Sequence, residues 1–337
     1  MKHLRKILFP FAGLYYVITL LRNKAYDIGL VAHKSYDLPV ICIGNLNTGG
    51  TGKSPMTEYL IRLLKDEYKI ASLSRGYGRK TKGYLQVTSD SLAKDVGDEP
   101  LQFAKKFKDI VVSVCEDRQT GISKLLQVNP PREVIVLDDA YQHRKVKAGF
   151  QILLTAYHDL YIDDFLLPAG NLRESRIGAK RAQAIIITKC PKEVSQIERE
   201  AIVRRLNVLP HQQVYFTTIA YSELLLSNDA QLPISELKNK KFTLVTGIAN
   251  PKPLLRHLQE VGLNFIHKAY SDHHNFALSE IKELETHDFI VTTEKDYMRL
   301  APSLKHENLY YLPIEASFIE NEFTFKDQVI GFVKSFN

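Results

Sequence analysis

The chain has 337 residues, 45% of them hydrophobic and 25% charged, with a net charge of +7 and three cysteines. That length suits two ordinary domains, or one large α/β domain with an appendage, and the composition is that of a globular chain with a substantial core. No Cys-x-x-Cys or His-x-Cys cluster surrounds Cys42, Cys115 or Cys190, so a disulfide framework and a zinc site are both unsupported and a reducing, cytosolic setting fits.

The positive charge is concentrated at the N-terminus. Residues 1–36 hold six basic side chains (Lys2, Arg5, Lys6, Arg22, Lys24, Lys34) against Asp27 alone. Between Lys6 and Arg22 run 15 uncharged residues, Ile7 to Leu21, fewer than the roughly 17–25 that span a bilayer. No small-residue cleavage site follows, which argues against a signal peptide. Apolar residues flanked by Lys and Arg are expected to lie in a membrane interface facing anionic lipid. The plain alternative is a helix buried against the domain.

Pro39 to Gly44 reads as a strand, and Pro55 to Lys65 as a helix. Between them lies Asn47-Thr48-Gly49-Gly50-Thr51-Gly52-Lys53-Ser54. Strand, glycine loop, Lys-Ser and helix form a phosphate cradle: backbone N–H groups face the anion, Lys53 adds a point charge and the Ser54 hydroxyl suits Mg²⁺. The usual pattern has glycine where this chain has Asn47, and Asn tolerates positive φ well enough for the turn. A glycine turn that only joins two elements is the bland reading.

Strands are expected at 69–74, 109–114, 133–138, 150–155 and 183–188, with helices at 99–107, 117–127 and 195–207. Apolar strands alternating with helices indicate a parallel sheet covered on both faces, with ligands beyond the strand carboxyl ends. Residues 76–97 read as a polar, glycine-rich mobile loop. Beyond about residue 210 the texture changes. Strands at 213–220, 241–246 and 289–293 and a helix from Pro251 to Gly262 suggest a second, smaller α/β domain, giving domains 1–36, 37–212 and 213–337.

Several clusters carry chemistry. Asp138-Asp139 ends a strand, where acids hold Mg²⁺ beside a phosphate loop. Gly97-Asp98-Glu99-Pro100 offers either a base for an attacking hydroxyl or an acidic helix start. Tyr270 to Phe276 contains His273 and His274, as a base, an orienting partner or a polar turn. In Leu166 to Ser175, Arg173 suits phosphate and Glu174 suits Mg²⁺, unless they only form a surface salt bridge. Ser74-Arg75-Gly76 closes another strand at the same edge. Thr293-Glu294-Lys295-Asp296 either lines the cleft or forms a solvated turn.

Taken in order, these motifs resemble the tetraacyldisaccharide 4′-kinases, the lipid A 4′-kinases of Gram-negative bacteria. The matching segments are 44–55, 74–78, 97–100, Asp138-Asp139-Ala140-Tyr141-Gln142-His143-Arg144, 167–174, Asp272-His273-His274 and 293–296. The resemblance implies a P-loop domain with a smaller second domain, ATP and Mg²⁺, and transfer of the γ-phosphate to the 4′-hydroxyl of a tetraacyldisaccharide 1-phosphate, giving lipid IVA. It implies work at the cytoplasmic face of the inner membrane. It carries phosphate binding onto Lys53, Mg²⁺ binding onto Ser54, Asp139 and Glu174, and the base role onto Asp98 paired with His273. Arg75, Asn171 and Arg173 are the substrate-binding candidates. Asp98 and His273, on different domains, are expected to meet only when the domains close. A monomer without nucleic-acid binding is expected. The competing reading is a GTPase or ATPase switch at the membrane, for which Thr188-Lys189-Cys190-Pro191 begins a guanine-reading motif and then breaks it with Pro191.

Overall fold

The computed structural model describes residues 4–304 and 306–336. Its strands are β1 (Val40–Asn45), β2 (Ile70–Ser74), β3 (Leu85–Val87), β4 (Val111–Val114) and β5 (Val134–Leu137). There follow β6 (Phe150–Ala156), β7 (Ala184–Thr188), β8 (Gln213–Tyr221), β9 (Leu224–Leu226) and β10 (Gln231–Pro233). The last are β11 (Phe242–Thr246), β12 (Phe265–Ala269), β13 (Ile290–Thr293), β14 (Leu309–Leu312) and β15 (Ile314–Phe318). The α-helices are α1 (Phe9–Asp27), α2 (Lys53–Leu64), α3 (Ala93–Val96), α4 (Asp98–Lys106), α5 (Arg118–Leu125) and α6 (Gln196–Leu206). They continue as α7 (Lys252–Glu260), α8 (Leu278–Leu284), α9 (Glu294–Leu300) and α10 (Glu322–Lys334).

The larger sheet has the order β15-β8-β7-β6-β1-β5-β2-β4-β3. Its interior pairs are parallel, and the two edge strands run antiparallel. Side chains alternate faces along each strand, as a sheet covered on both sides requires. Ile41 and Ile43 of β1 face α2 and α10 with Met56, Leu60, Phe325 and Val329, while Val40 and Cys42 face α5 with Ile122 and Leu125. β1 lies between β5 and β6, and its carboxyl end is where the order of the chain reverses, the usual ligand position in such sheets.

The smaller sheet has the order β10-β9-β14-β13-β11-β12. Leu244 and Val291 pack toward α7, and Val245 and Ile290 pack toward α9 and the first domain. That second cluster also holds Ile61, Leu101, Phe103, Tyr297 and Met298. The two domains therefore share one apolar core, in which each buried side chain contributes about 1.5–3 kcal/mol.

Two expectations change. The stretch 213–337 is not one unit: β8 extends the larger sheet beside β7, β15 pairs with β8, and α10 packs under the sheet. The second sheet is built from the chain between them. The segment 76–97 is not a featureless loop, since it contains the edge strand β3 and the short helix α3.

Close approach dictates Gly44. A Cβ there would lie 2.6 Å from the Cβ of Tyr141, a buried ring whose hydroxyl donates to the Gly178 carbonyl at 2.8 Å. Gly44→Ala is expected to lower stability by about 1–3 kcal/mol, the usual range for overpacking. A urea midpoint within error of the parent would show that Tyr141 yields freely.

Candidate active site

The chain leaves β1 at Asn45 and turns into α2 through the phosphate loop. The left-handed positions are Gly49 (φ 119°) and Gly52 (φ 82°). Asn47, expected at sequence level to take a glycine's place in the turn, is instead buried and donates to Asp164 at 3.0 Å. The loop is braced on all sides. Thr48 donates its backbone N–H to the Asn171 carbonyl at 2.7 Å, and Thr188 donates its hydroxyl to the Thr51 carbonyl at 2.7 Å. Lys189 donates to the Gly50 carbonyl. Thr188 and Lys189, which begin the guanine-reading pattern in sequence, therefore hold the phosphate loop.

Lys53 lies 3.9 Å from Asp139 at the tip of β5, and Arg173 donates to the same Asp139 oxygen at 2.8 Å. Burial holds the Lys189 ammonium below its ordinary pKa, with Lys295 and Lys53 adding to the effect. Three ammonium groups crowding one loop favour a polyanion. The Ser54 hydroxyl donates to Glu99 at 3.0 Å, and Thr57 donates to Asp138 at 3.0 Å. Burial pushes the Asp138 carboxyl well above its usual range, and the nearby Glu99 and Asp139 push it further. Carboxylates gathered against their own repulsion beside a serine hydroxyl fit a divalent cation.

The acceptor side is built where the domains meet. Gly97 (φ 94°) turns the chain sharply into α4, so Asp98 sits in the first turn, where the helix dipole favours a carboxylate. Across the interface the His273 backbone is also left-handed (φ 56°), and its Nδ1 lies 3.1 Å from Asp98 Oδ2. Burial alone would raise the Asp98 pKa, but hydrogen bonds from His273 and Arg299 outweigh it and hold it at about 2. His274 is engaged elsewhere, on Glu280 at 2.8 Å and stacked on Tyr270. Asp98 and His273, from different domains, are in contact in this structure.

A family model for tetraacyldisaccharide-1-P 4′-kinase (LpxK) matches residues 4–333. The chain belongs to the tetraacyldisaccharide-1-P 4′-kinase family. Proteins named tetraacyldisaccharide 4′-kinase from Flavobacterium psychrophilum and Bacteroides thetaiotaomicron are 48% and 44% identical to it. These matches cover 99% and 98% of this chain and 98% and 94% of those proteins. The crystal structure of LpxK from Aquifex aeolicus in complex with ATP matches with a TM-score of 0.81 and 31% identity, over 98% of this chain and 99% of that one. The fold is thus that of a P-loop kinase, and the switch reading is not favoured.

In this member of the family, some predicted site residues are placed differently. Glu174 is not an open metal ligand: Arg181 takes both its oxygens at 2.8 and 3.0 Å, and Asn23 and Gln142 fill the rest. It ties α1 to the turn before it. Asn171 receives Arg5 on its side chain at 2.8 Å, and Arg173 spans Asp139 and Asn45. Arg75 is exposed at the end of β2, free of ion pairs with described residues. Sequence reasoning missed Glu99 as the partner of Ser54 and Lys295, which lies 2.6 Å from it. It also missed Arg299. Glu99 stands beside the suspected base and Lys295 in a suspected cleft motif, but nothing local joins them.

The N-terminal segment packs on the larger domain along one stripe and is exposed along another. Arg5, Tyr15 and Asn23 fasten it to Pro168, Arg173 and Glu174. Ala12, Thr19 and Tyr26 form its buried stripe, while Phe11, Leu14, Ile18 and Leu21 are 55–63% exposed along another face. Among the described residues no helix is long and apolar enough to cross a membrane.

Proposed function

We propose that the protein transfers the γ-phosphate of ATP to the 4′-hydroxyl of a tetraacyldisaccharide 1-phosphate, giving lipid IVA in lipid A biosynthesis. The observation that carries this reading is the Asp98–His273 pair, joined across the domains at 3.1 Å beside the Lys53–Ser54 loop. The triphosphate lies along residues 47–54, with Lys53 and Arg173 drawing off charge. Ser54, Glu99, Asp138 and Asp139 are the groups suited to hold Mg²⁺, which neutralises phosphate oxygens when bound. Among the described residues no group of three or more His, Cys, Asp or Glu makes a cage of its own, so such an ion would draw further ligands from phosphate and water. Phosphoryl transfer needs alignment more than covalent chemistry. The chain's task is to hold the sugar hydroxyl in line and accept its proton at the Asp98–His273 pair. Labelled phosphate transfer from ATP to the purified lipid, with Lys53→Ala as the control, tests the assignment: no labelled lipid from the parent protein would refute it.

The substrate is acylated and anionic, and α1 offers it an approach at the cytoplasmic face of the inner membrane. Its exposed stripe would enter the interface while Arg5 and Tyr15 keep contact with the site. Joint replacement Phe11→Asp and Ile18→Asp is expected to reduce binding to vesicles containing anionic lipid at least tenfold, since each buried side chain contributes about 1.5–3 kcal/mol. Sedimentation with vesicles measures this, and unchanged binding would remove α1 from the membrane contact.

A further inference from the structure

We propose that Arg299 is a positioning residue of this reaction: its guanidinium fork fixes the Asp98 carboxylate so that His273 presents Nε2 to the acceptor hydroxyl. The proposal rests on the acceptor-side role of Asp98 and His273 given above. Arg299 stands on α9 of the second domain, 201 residues from Asp98. Its Nε donates to Asp98 Oδ1 at 3.0 Å, and its Nη2 donates to Oδ2. This two-pronged geometry is one that lysine cannot reproduce. The fork is backed by Asp296 at 3.5 Å, which is fully buried and accepts the Gly247 N–H at 2.8 Å and the Thr293 hydroxyl at 2.6 Å. A rigid relay thus runs from the core of the second domain to the carboxylate.

The consequence is a division of labour. Asp98 is crowded by donors from Arg299 and His273, whereas His273 is partly exposed and, among the described residues, its Nε2 faces Asp272 at 4.0 Å. With the Nδ1 proton directed at Asp98, Nε2 carries the free lone pair. In the transfer step the hydroxyl O–H bond breaks and its proton passes to Nε2. The oxygen forms the new bond to the γ-phosphorus, and the bond from that phosphorus to the bridging oxygen breaks, its electrons leaving with ADP. The imidazolium is then balanced by Asp98. Arg299 Nη2 also lies 2.9 Å from Nδ1. If Nδ1 accepted from it, Nε2 would carry a proton and be useless as a base.

The other charged and titratable neighbours of the pair are Asp296 and Lys295 on α9, Glu99 on α4, and Asp272 and Tyr77 from flanking loops. The test uses the full-length protein with Arg299→Gln and Arg299→Lys, following kcat and KM for ATP. Misplacing a catalytic group by about 1 Å costs on the order of 10² in rate. We expect kcat to fall about 10- to 100-fold in Arg299→Gln and by less in Arg299→Lys, with KM for ATP unchanged. A kcat matching the parent would overturn the proposal, as would equal losses in ATP affinity and kcat. If Arg299→Gln does not fold, Arg299→Lys decides on the same readouts. Asp98→Asn and His273→Ala run in parallel separate the two readings. Activity surviving in both removes the acceptor-side role itself, and activity lost there but kept in the Arg299 variants removes only Arg299.

Discussion

Asp98→Ala is expected to lower turnover by about 10²–10⁴, the span of an acid–base contribution, while ATP binds as before. Among the described residues the hydrogen-bond partners of Asp98 are His273 and Arg299, not groups of the phosphate loop. Removing it frees the imidazole to take the wrong tautomer and leaves Asp296 as the carboxylate facing Arg299. Steady-state assays with purified lipid, alongside equilibrium ATP binding, separate the two effects. Turnover near the parent's would take Asp98 out of the reaction. The same carboxylate links stability to pH. Its folded pKa lies below the unfolded value of about 3.9, so its contribution is present above pH 4 and disappears as the pH falls toward 2. Asp98→Asn should therefore flatten the acid limb of the stability profile.

The second large effect concerns the joint between domains. Lys106 of α4 donates to Glu58 of α2 at 2.7 Å and to Glu294 of α9 at 3.0 and 3.1 Å. The two carboxylate side chains are only 1% and 5% exposed. Lys106→Ala is expected to cost about 3–5 kcal/mol, because breaking a buried pair strands an uncompensated charge. Burial, with Glu58 close by, already raises the pKa of Glu294. A carboxyl raised in the folded state destabilises increasingly as pH climbs from its unfolded value of about 4.3 through the folded one. The deficit should thus be larger at pH 8 than at pH 6. Urea unfolding at both pH values measures it, and a loss below about 1 kcal/mol would mean that Arg62 and Gln102 suffice for this cluster. The shared core and this triad together argue for a joint that holds its two halves in register.

Much of this was legible in the residues, and the limit has a physical origin. The strands of the larger sheet announce themselves because both faces are covered, so residues 134–137 and 184–187 are apolar throughout. The phosphate loop is legible because its chemistry is local: glycine, lysine, hydroxyl and helix follow one another in the chain. Pairing across distance is not. A run such as Gln213–Tyr221 says strand without saying which sheet, and β8 joins β7 because the chain returns there. Asp98 carries its motif with it, but Arg299 meets it only through the tertiary fold. Glu174 looked like a metal ligand by type, and only the fold reveals that Arg181, Asn23 and Gln142 occupy it.

The most direct test is a crystal structure holding a non-hydrolysable ATP analogue and the disaccharide lipid together. The 4′-oxygen should stand within hydrogen-bond reach of the Asp98–His273 pair, about 2.6–3.2 Å, and point in line at the terminal phosphorus. A sugar seated with that oxygen turned away from both side chains, in an otherwise ordered ternary complex, would contradict the account.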